Sequence, residues 1–247
     1  QIDSLLHNDW LRRPRLAEEL DETKGAGFLL RQAPHLVDIA NYIAHARAIS
    51  VRAVTGRWDP RLDTDGNCAA LIRYESSAVA SLSLNGYGYF DSSELTFGIG
   101  TFGKTSEAGR RPRTRASGPL DAKAKYDARA QSGEVCSDSP SDCATNQENR
   151  GEIGESQPYF GLHIVSFERG AVRQSPNGLY LYTDEGREEI ALPPYIGRAA
   201  ELIELKDALK ENRDVFPNGE WGRANLEICL ALSRSSRKEK DIALSQQ

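Results

Sequence analysis

The sequence contains no methionine and begins at Gln1, so it reads as a piece of something longer or as an edited sequence. It has no apolar run approaching the length of a membrane span, and it opens on no signal-peptide pattern. A membrane partner is therefore excluded, and a cytoplasmic location is the expectation. Positive charge is not in excess either. With 31 Lys+Arg against 36 Asp+Glu the net charge is -5, which argues against nucleic acid as the main partner. Cysteine is scarce. Cys68, Cys136, Cys143 and Cys229 form no Cys-x-x-Cys pair, and His7, His35, His45 and His163 do not cluster with them, so no metal site is expected. Cys68 and Cys229 have apolar neighbours and read as small core residues; Cys136 and Cys143 sit in a polar stretch and could pair there if oxidised.

What remains is an ordinary globular composition, 39% hydrophobic and 27% charged in 247 residues, enough to bury a substantial core. The expected organisation is one domain over 1–247, with a polar and mobile insertion at 106–157 whose few apolar residues cannot offset its ordering entropy. A helical piece around Asp121–Ala130 is the one element expected within it.

One stretch looks built for chemistry, Gly25-Ala26-Gly27 followed by Phe28 to Asp38. Pro34 fits the first position of a helix, because its missing N–H costs nothing there and its φ is already suitable. The residues before it, Arg31 to Ala33, are then extended. A helix over 34–46 has His35 in its first turn, Asp38 one turn on along the same face, and Ile39, Tyr42 and Ile43 on a buried stripe. An imidazole at a helix start beside a Gly-rich turn suits proton transfer, with Asp38 to orient it; the bland alternative is a capping or surface histidine. Upstream, Leu11-Arg12-Arg13-Pro14-Arg15 gathers three guanidinium groups that could bind an anionic substrate bidentately, or form only a solvated basic loop.

Strand-like runs follow at Ile49–Thr55, Ala69–Tyr74, Val79–Leu84 and Glu94–Ile99, separated by short turns, which predicts an antiparallel meander. Gly98 to Thr105 satisfies both Gly-x-Gly-x-x-Gly and the Gly-x4-Gly-Lys-Thr spacing. A phosphate cradle needs a helix immediately afterwards, however, and the next residues carry a glycine and a proline with no apolar face. Beyond the insertion, Phe160–Glu168, Leu179–Thr183 and Glu188–Leu192 read as strands. Arg198–Glu211 and Glu220–Arg237 read as helices, and Asp241–Leu244 as a short closing strand.

The Gly-rich turn leading to His35-x-x-Asp38 resembles the start of the C-terminal domain in the glucose–fructose oxidoreductase/inositol dehydrogenase (Gfo/Idh/MocA) family. There the motif is Asp-x-Gly-x-His-x-x-Asp, so Arg31 and Ala33 depart from it. Arg-Gln-x-Pro-His, the arginine-rich segment at 11–15, Ser93 to Gly100, Tyr159 to His163 and Gln174-Ser175-Pro176 are similar to the branch containing phthalate 4,5-cis-dihydrodiol dehydrogenases. The resemblance implies an α+β fold, a mostly antiparallel open sheet with helices on one face, whose other face makes homo-oligomer contacts. It implies the substrate and oligomerisation part of an oxidoreductase acting on a CH–OH group with NAD or NADP, bound mainly by a Rossmann domain that is not in this sequence. His35 and Asp38 are then the catalytic candidates, and Arg12, Arg13, Arg15 and Arg31 the candidate clamps for a carboxylated substrate. A non-catalytic dimerising or ligand-binding module is the alternative.

Overall fold

A computed structural model describes residues 1–13, 15–101, 103, 105, 123, 156–197 and 199–246. The insertion expected over 106–157, its helical piece, and Cys136 and Cys143 lie outside the described residues, with Lys123, Ser156 and Gln157 as the exceptions.

The chain starts with β1 (Ile2–His7), a strand in which Ile2, Ser4 and Leu6 are buried in alternation. After a single turn, α1 (Ala17–Leu20), comes the long helix α2 (Phe28–Ala44), then the meander β2 (Ala48–Gly56), β3 (Asn67–Tyr74) and β4 (Val79–Asn85). Two hairpins follow, β5 (Leu162–Phe167) with β6 (Gly170–Ser175), and β7 (Gly178–Thr183) with β8 (Gly186–Ala191). Helices α3 (Ala199–Glu211) and α4 (Gly219–Lys238) and the short β9 (Ile242–Ala243) complete the described chain.

Among the described residues nine strands form one sheet in the order β8-β7-β6-β5-β1-β4-β3-β2-β9. Only the pair β1–β4 is parallel, with Leu6 opposite Leu84; every other pair is antiparallel. A parallel pair needs a crossover, and here α2 supplies it, carrying the chain over one face of the sheet before β2. α4 lies beside α2 on that face, and the core fills the space between: Leu36 and Val37 of α2, Ile228 and Leu232 of α4, and Val51, Ile72 and Leu84 of the strands are wholly buried. Each such side chain contributes roughly 1.5–3 kcal/mol of burial. Cys68 and Cys229 are free and buried within this core, as their apolar contexts imply. The α+β class and the mostly antiparallel sheet agree with the sequence.

Several local expectations do not hold. α2 starts at Phe28, not Pro34, so Arg31 to Ala33 are helical and His35 lies in the third turn. Gly27 enters at φ 90, and Phe28 N–H donates to Thr64 Oγ1 at 3.0 Å, which caps the helix six residues before the proline. Pro34 inside the helix leaves the Leu30 carbonyl without its usual donor. The burial of Phe28, Leu29, Ala33, Leu36 and Val37 offsets that loss. The strand expected at Glu94–Ile99 is a 3₁₀ turn over Ser92–Thr96: the Asp91 carboxylate accepts from Ser93 N–H at 2.9 Å, and Phe97 and Gly98 take positive φ, bending the chain out of the sheet. β1 and β6 were not expected as strands. β1 is short, and β6 has only one β-branched residue, Val172; pairing with neighbours creates both.

The sheet face away from α2 and α4 is mixed rather than strongly apolar. Ala80, Leu82 and Leu84 of β4 are buried in the core beneath the helices. One row across the open face reads Arg52, Leu71, Ser81, Asp3, Ile164 and Arg173. The apolar residues of α3 also face outward: Leu202, Ile203, Leu205 and Leu209 are exposed and only Ala208 is buried.

Candidate active site

His35 stands on the solvent side of α2 with one face of its ring covered by Phe160, centroid to centroid 4.0 Å at 38°. Phe160 comes from the segment entering β5, and its carbonyl oxygen lies 3.1 Å from Nε2 of the buried His163. His163 Nδ1 in turn lies 2.9 Å from Ser4 Oγ on β1. The covering ring therefore sits on a segment tied to the sheet. His35 remains exposed at its edge, yet burial of the rest pushes its pKa below that of a free imidazole, while the Asp38 charge acts in the opposite direction. Depression by the helix dipole, expected for a first-turn histidine, does not apply in the third turn; desolvation takes its place.

Asp38 does not pair with His35. Its Oδ1 accepts from Trp221 Nε1 at 2.5 Å and from Asn225 Nδ2 at 2.7 Å, both on α4. On the other side, Gln32 on α2 accepts at Oε1 from Asn8 Nδ2 at 2.9 Å, joining the helix to the end of β1. Sequence reasoning missed Asn8, Gln32, Phe160, Trp221 and Asn225. Asn225 did leave a signal, a polar residue on the apolar face of a helix that otherwise packs the core.

The arginines separate. Arg12 donates from Nε to the Tyr87 carbonyl and lies 4.1 Å over the Tyr89 ring; its Nη2 is buried with no hydrogen-bond partner among the described residues. Gly88 has no side chain where this arm passes, and a Cβ there would lie 3.2 Å from Arg12 Cδ. Arg13 bonds Asp9 at 2.8 Å. Arg15 turns inward: it is 4% exposed, donates to the Trp10 carbonyl at 3.1 Å, lies 4.0 Å over the Trp10 ring and meets Glu19 at 3.6 Å. We assign it to the fold. Arg31 is exposed one helical turn before His35.

The structure groups His35, Asp38, Gln32, Asn8 and Phe160, and it does not bring Arg15 to them. Among the described residues there is no group of three or more His, Cys, Asp or Glu able to hold a metal ion, and no helix long and apolar enough to cross a membrane. In the segment with the Gly-x-Gly-x-x-Gly pattern, Ile99 bridges Thr105 and Gly103 N–H donates to the Gly100 carbonyl at 3.1 Å, so that amide is already used within the turn.

Residues 1–101 match the GFO/IDH/MocA C-terminal domain. The resemblance carried by His35-x-x-Asp38 is thereby borne out. A curated relative, the 1-carboxy-3-chloro-3,4-dihydroxycyclohexa-1,5-diene dehydrogenase of Comamonas testosteroni, is 26% identical over 96% of this chain and 59% of its own length. A solved structure from Bordetella bronchiseptica RB50, named provisionally as a dehydrogenase, is 31% identical with a TM-score of 0.76, covering 98% of this chain and 61% of that one. A levoglucosan dehydrogenase solved with NADH and levoglucosan shares the fold at 15% identity and a TM-score of 0.62, covering this whole chain and 58% of that one. This chain thus spans about three-fifths of the length of these relatives.

Proposed function

We propose that this chain is the substrate-binding and oligomerisation part of an NAD(P)-dependent oxidoreductase acting on a CH–OH group. The observation that carries the reading is His35: an accessible imidazole against the Phe160 ring, its pKa lowered by burial, within the residues that match the family domain. A neutral imidazole accepts a hydroxyl proton at neutral pH, and an imidazolium does not. When bound, NAD(P) supplies the hydride acceptor. On this reading it is bound mainly by a domain outside this sequence.

The substrate class we favour is a cis-dihydrodiol bearing a ring carboxylate. Two features support it: the name of the Comamonas relative, and two cations able to meet a carboxylate, the exposed Arg31 one helical turn from His35 and Arg12 with an unpaired buried Nη2. Arg13 is a further candidate for the same anion. Self-association through the open sheet face belongs to the same proposal, with Leu71 and Ile164 in its exposed row.

The test is His35→Asn in the whole protein, assayed with nicotinamide reduction. Turnover should fall roughly a hundredfold or more, the usual scale for losing a general base. Substrate affinity should stay near wild type. Turnover and pH profile unchanged from wild type would remove His35 from the mechanism.

A further inference from the structure

We propose that Trp221 and Asn225 are positioning residues that hold the Asp38 carboxylate on the α4 side and keep it from closing on His35 as an ion pair. The inference rests on the reading of His35 as a proton acceptor, and it adds what keeps that acceptor free. Residues three apart on a helix are neighbours, so an unanchored Asp38 has rotamers that reach the His35 ring. In the structure it does not use them. Both hydrogen bonds to Oδ1 come from α4, from residues one turn apart on a single face.

The anchor is itself built into the core. Asn225 Oδ1 accepts from Asn41 Nδ2 at 2.7 Å, and Asn41 Oδ1 accepts from the Tyr74 hydroxyl at 2.8 Å. Asn225, Asn41 and Tyr74 are all buried. A carboxylate only accepts, so Asn225 must present its NH₂ to Asp38; its oxygen then needs the Asn41 NH₂, and the Asn41 oxygen needs a hydroxyl donor. Tyr74 supplies that donor from β3, which makes the polarity of the whole chain consistent from sheet to helix surface. Trp221 is fixed separately. Its backbone N–H donates to the capping Asn218 Oδ1 at 3.0 Å, and its indole packs edge-on against Phe216 at 5.0 Å. Phe216 N–H donates to Glu204, which Arg213 clamps through both terminal guanidinium nitrogens.

The surroundings of His35 leave Asp38 as the charge that matters. α2 supplies Arg31 one turn before the ring and Asp38 one turn after it. The segment before β5 supplies Phe160, which is uncharged, and the His163 ring beyond it is turned to Ser4 and the Phe160 carbonyl. α4 meets this region with Trp221 and Asn225, also uncharged. The Asp38 field favours protonation of His35, and its distance from the ring decides by how much. Anchored on α4, the carboxylate ties the two helices together and acts on the ring only through its field.

The experiment is an NMR titration of the histidine Cε1–H signals in this 247-residue chain, with His35 assigned by its loss in His35→Asn. The double variant Trp221→Phe, Asn225→Ser should shift the His35 midpoint upward, beyond titration error, because Asp38 is released towards the ring. Asp38→Asn should shift it downward. A residue that served only packing would leave both midpoints in place. If the double variant loses its dispersed amide spectrum, Trp221→Phe alone, which keeps the aromatic packing, is read in its place. A His35 midpoint that stays or falls in the folded anchor variant overturns the proposal, as does one that Asp38→Asn leaves unmoved. Turnover of His35→Asn in the whole protein judges the catalytic reading independently, since the titration needs no activity.

Discussion

His163 is a histidine that the fold cannot charge without damage, and that has a measurable consequence. It is 7% exposed, its Nδ1 faces the Ser4 hydroxyl at 2.9 Å, and its Nε2 faces the Phe160 carbonyl at 3.1 Å. The neutral ring with its proton on Nε2 satisfies both: Nε2–H donates to the carbonyl and Nδ1 accepts from the hydroxyl. Burial pushes the pKa from 6.5 to about 4, against a smaller upward pull from the Phe160 carbonyl. The folded value lies below the unfolded one, so the unfolded chain binds the extra proton. Stability is therefore complete above about pH 6.5 and is lost as pH falls towards 4. A shift of that size corresponds to about 3 kcal/mol in all, of which about 2 kcal/mol falls between pH 7 and pH 5. Burial lowers His35 and His7 as well, with the same sign, so the contribution of His163 must be read as a difference. Urea unfolding at pH 7 and pH 5 of wild type and His163→Gln supplies it. The variant should be less stable at pH 7 but should lose about 2 kcal/mol less than wild type on acidification. Equal losses in the two proteins would refute the burial argument, because the proton uptake would then come from elsewhere.

Three further outcomes follow from local contacts. Thr64→Val removes the acceptor of Phe28 N–H and the hydroxyl that donates to Glu22 at 3.0 Å, so the urea midpoint should fall by the equivalent of about 1–2 kcal/mol; an unmoved midpoint would show that α2 is not capped there. Arg15→Ala should lower stability by about 1.5–3 kcal/mol, the scale of a hydrogen bond to a charged group, and leave the Michaelis constant alone. Arg12→Ala in the whole protein should raise the Michaelis constant for a carboxylated substrate by about tenfold or more with little change in turnover, the pattern of lost uniform binding. If the two arginines exchange these effects in steady-state kinetics and urea melts, their assignment to substrate and fold is reversed.

Legibility in the sequence followed the range of the interactions involved. The meander β2 to β4 was visible because alternation is a local property that one buried face enforces residue by residue. The start of α2 was not. Pro34 carries a strong local preference for a helix start, but the cap that decides the matter is Thr64, which is 36 positions beyond Phe28 in the chain. β1 looked like an entry segment for a similar reason. Its six residues become a central strand only because β4 and β5 arrive on either side.

The candidate site divides along the same line. Residue type and spacing were enough to single out His35 and Asp38 as candidates and the family they resemble. Those depend on an order of residues that any conformation preserves. Which charge faces which group depends on distances across the fold, and these only the tertiary structure decided. Arg15, one of three neighbouring arginines, turns under Trp10, while Arg12 keeps a nitrogen unpaired. Asp38, one turn from His35, answers to Trp221 and Asn225, more than 180 residues away. His35 has one ring face covered by Phe160, a residue distant in the chain.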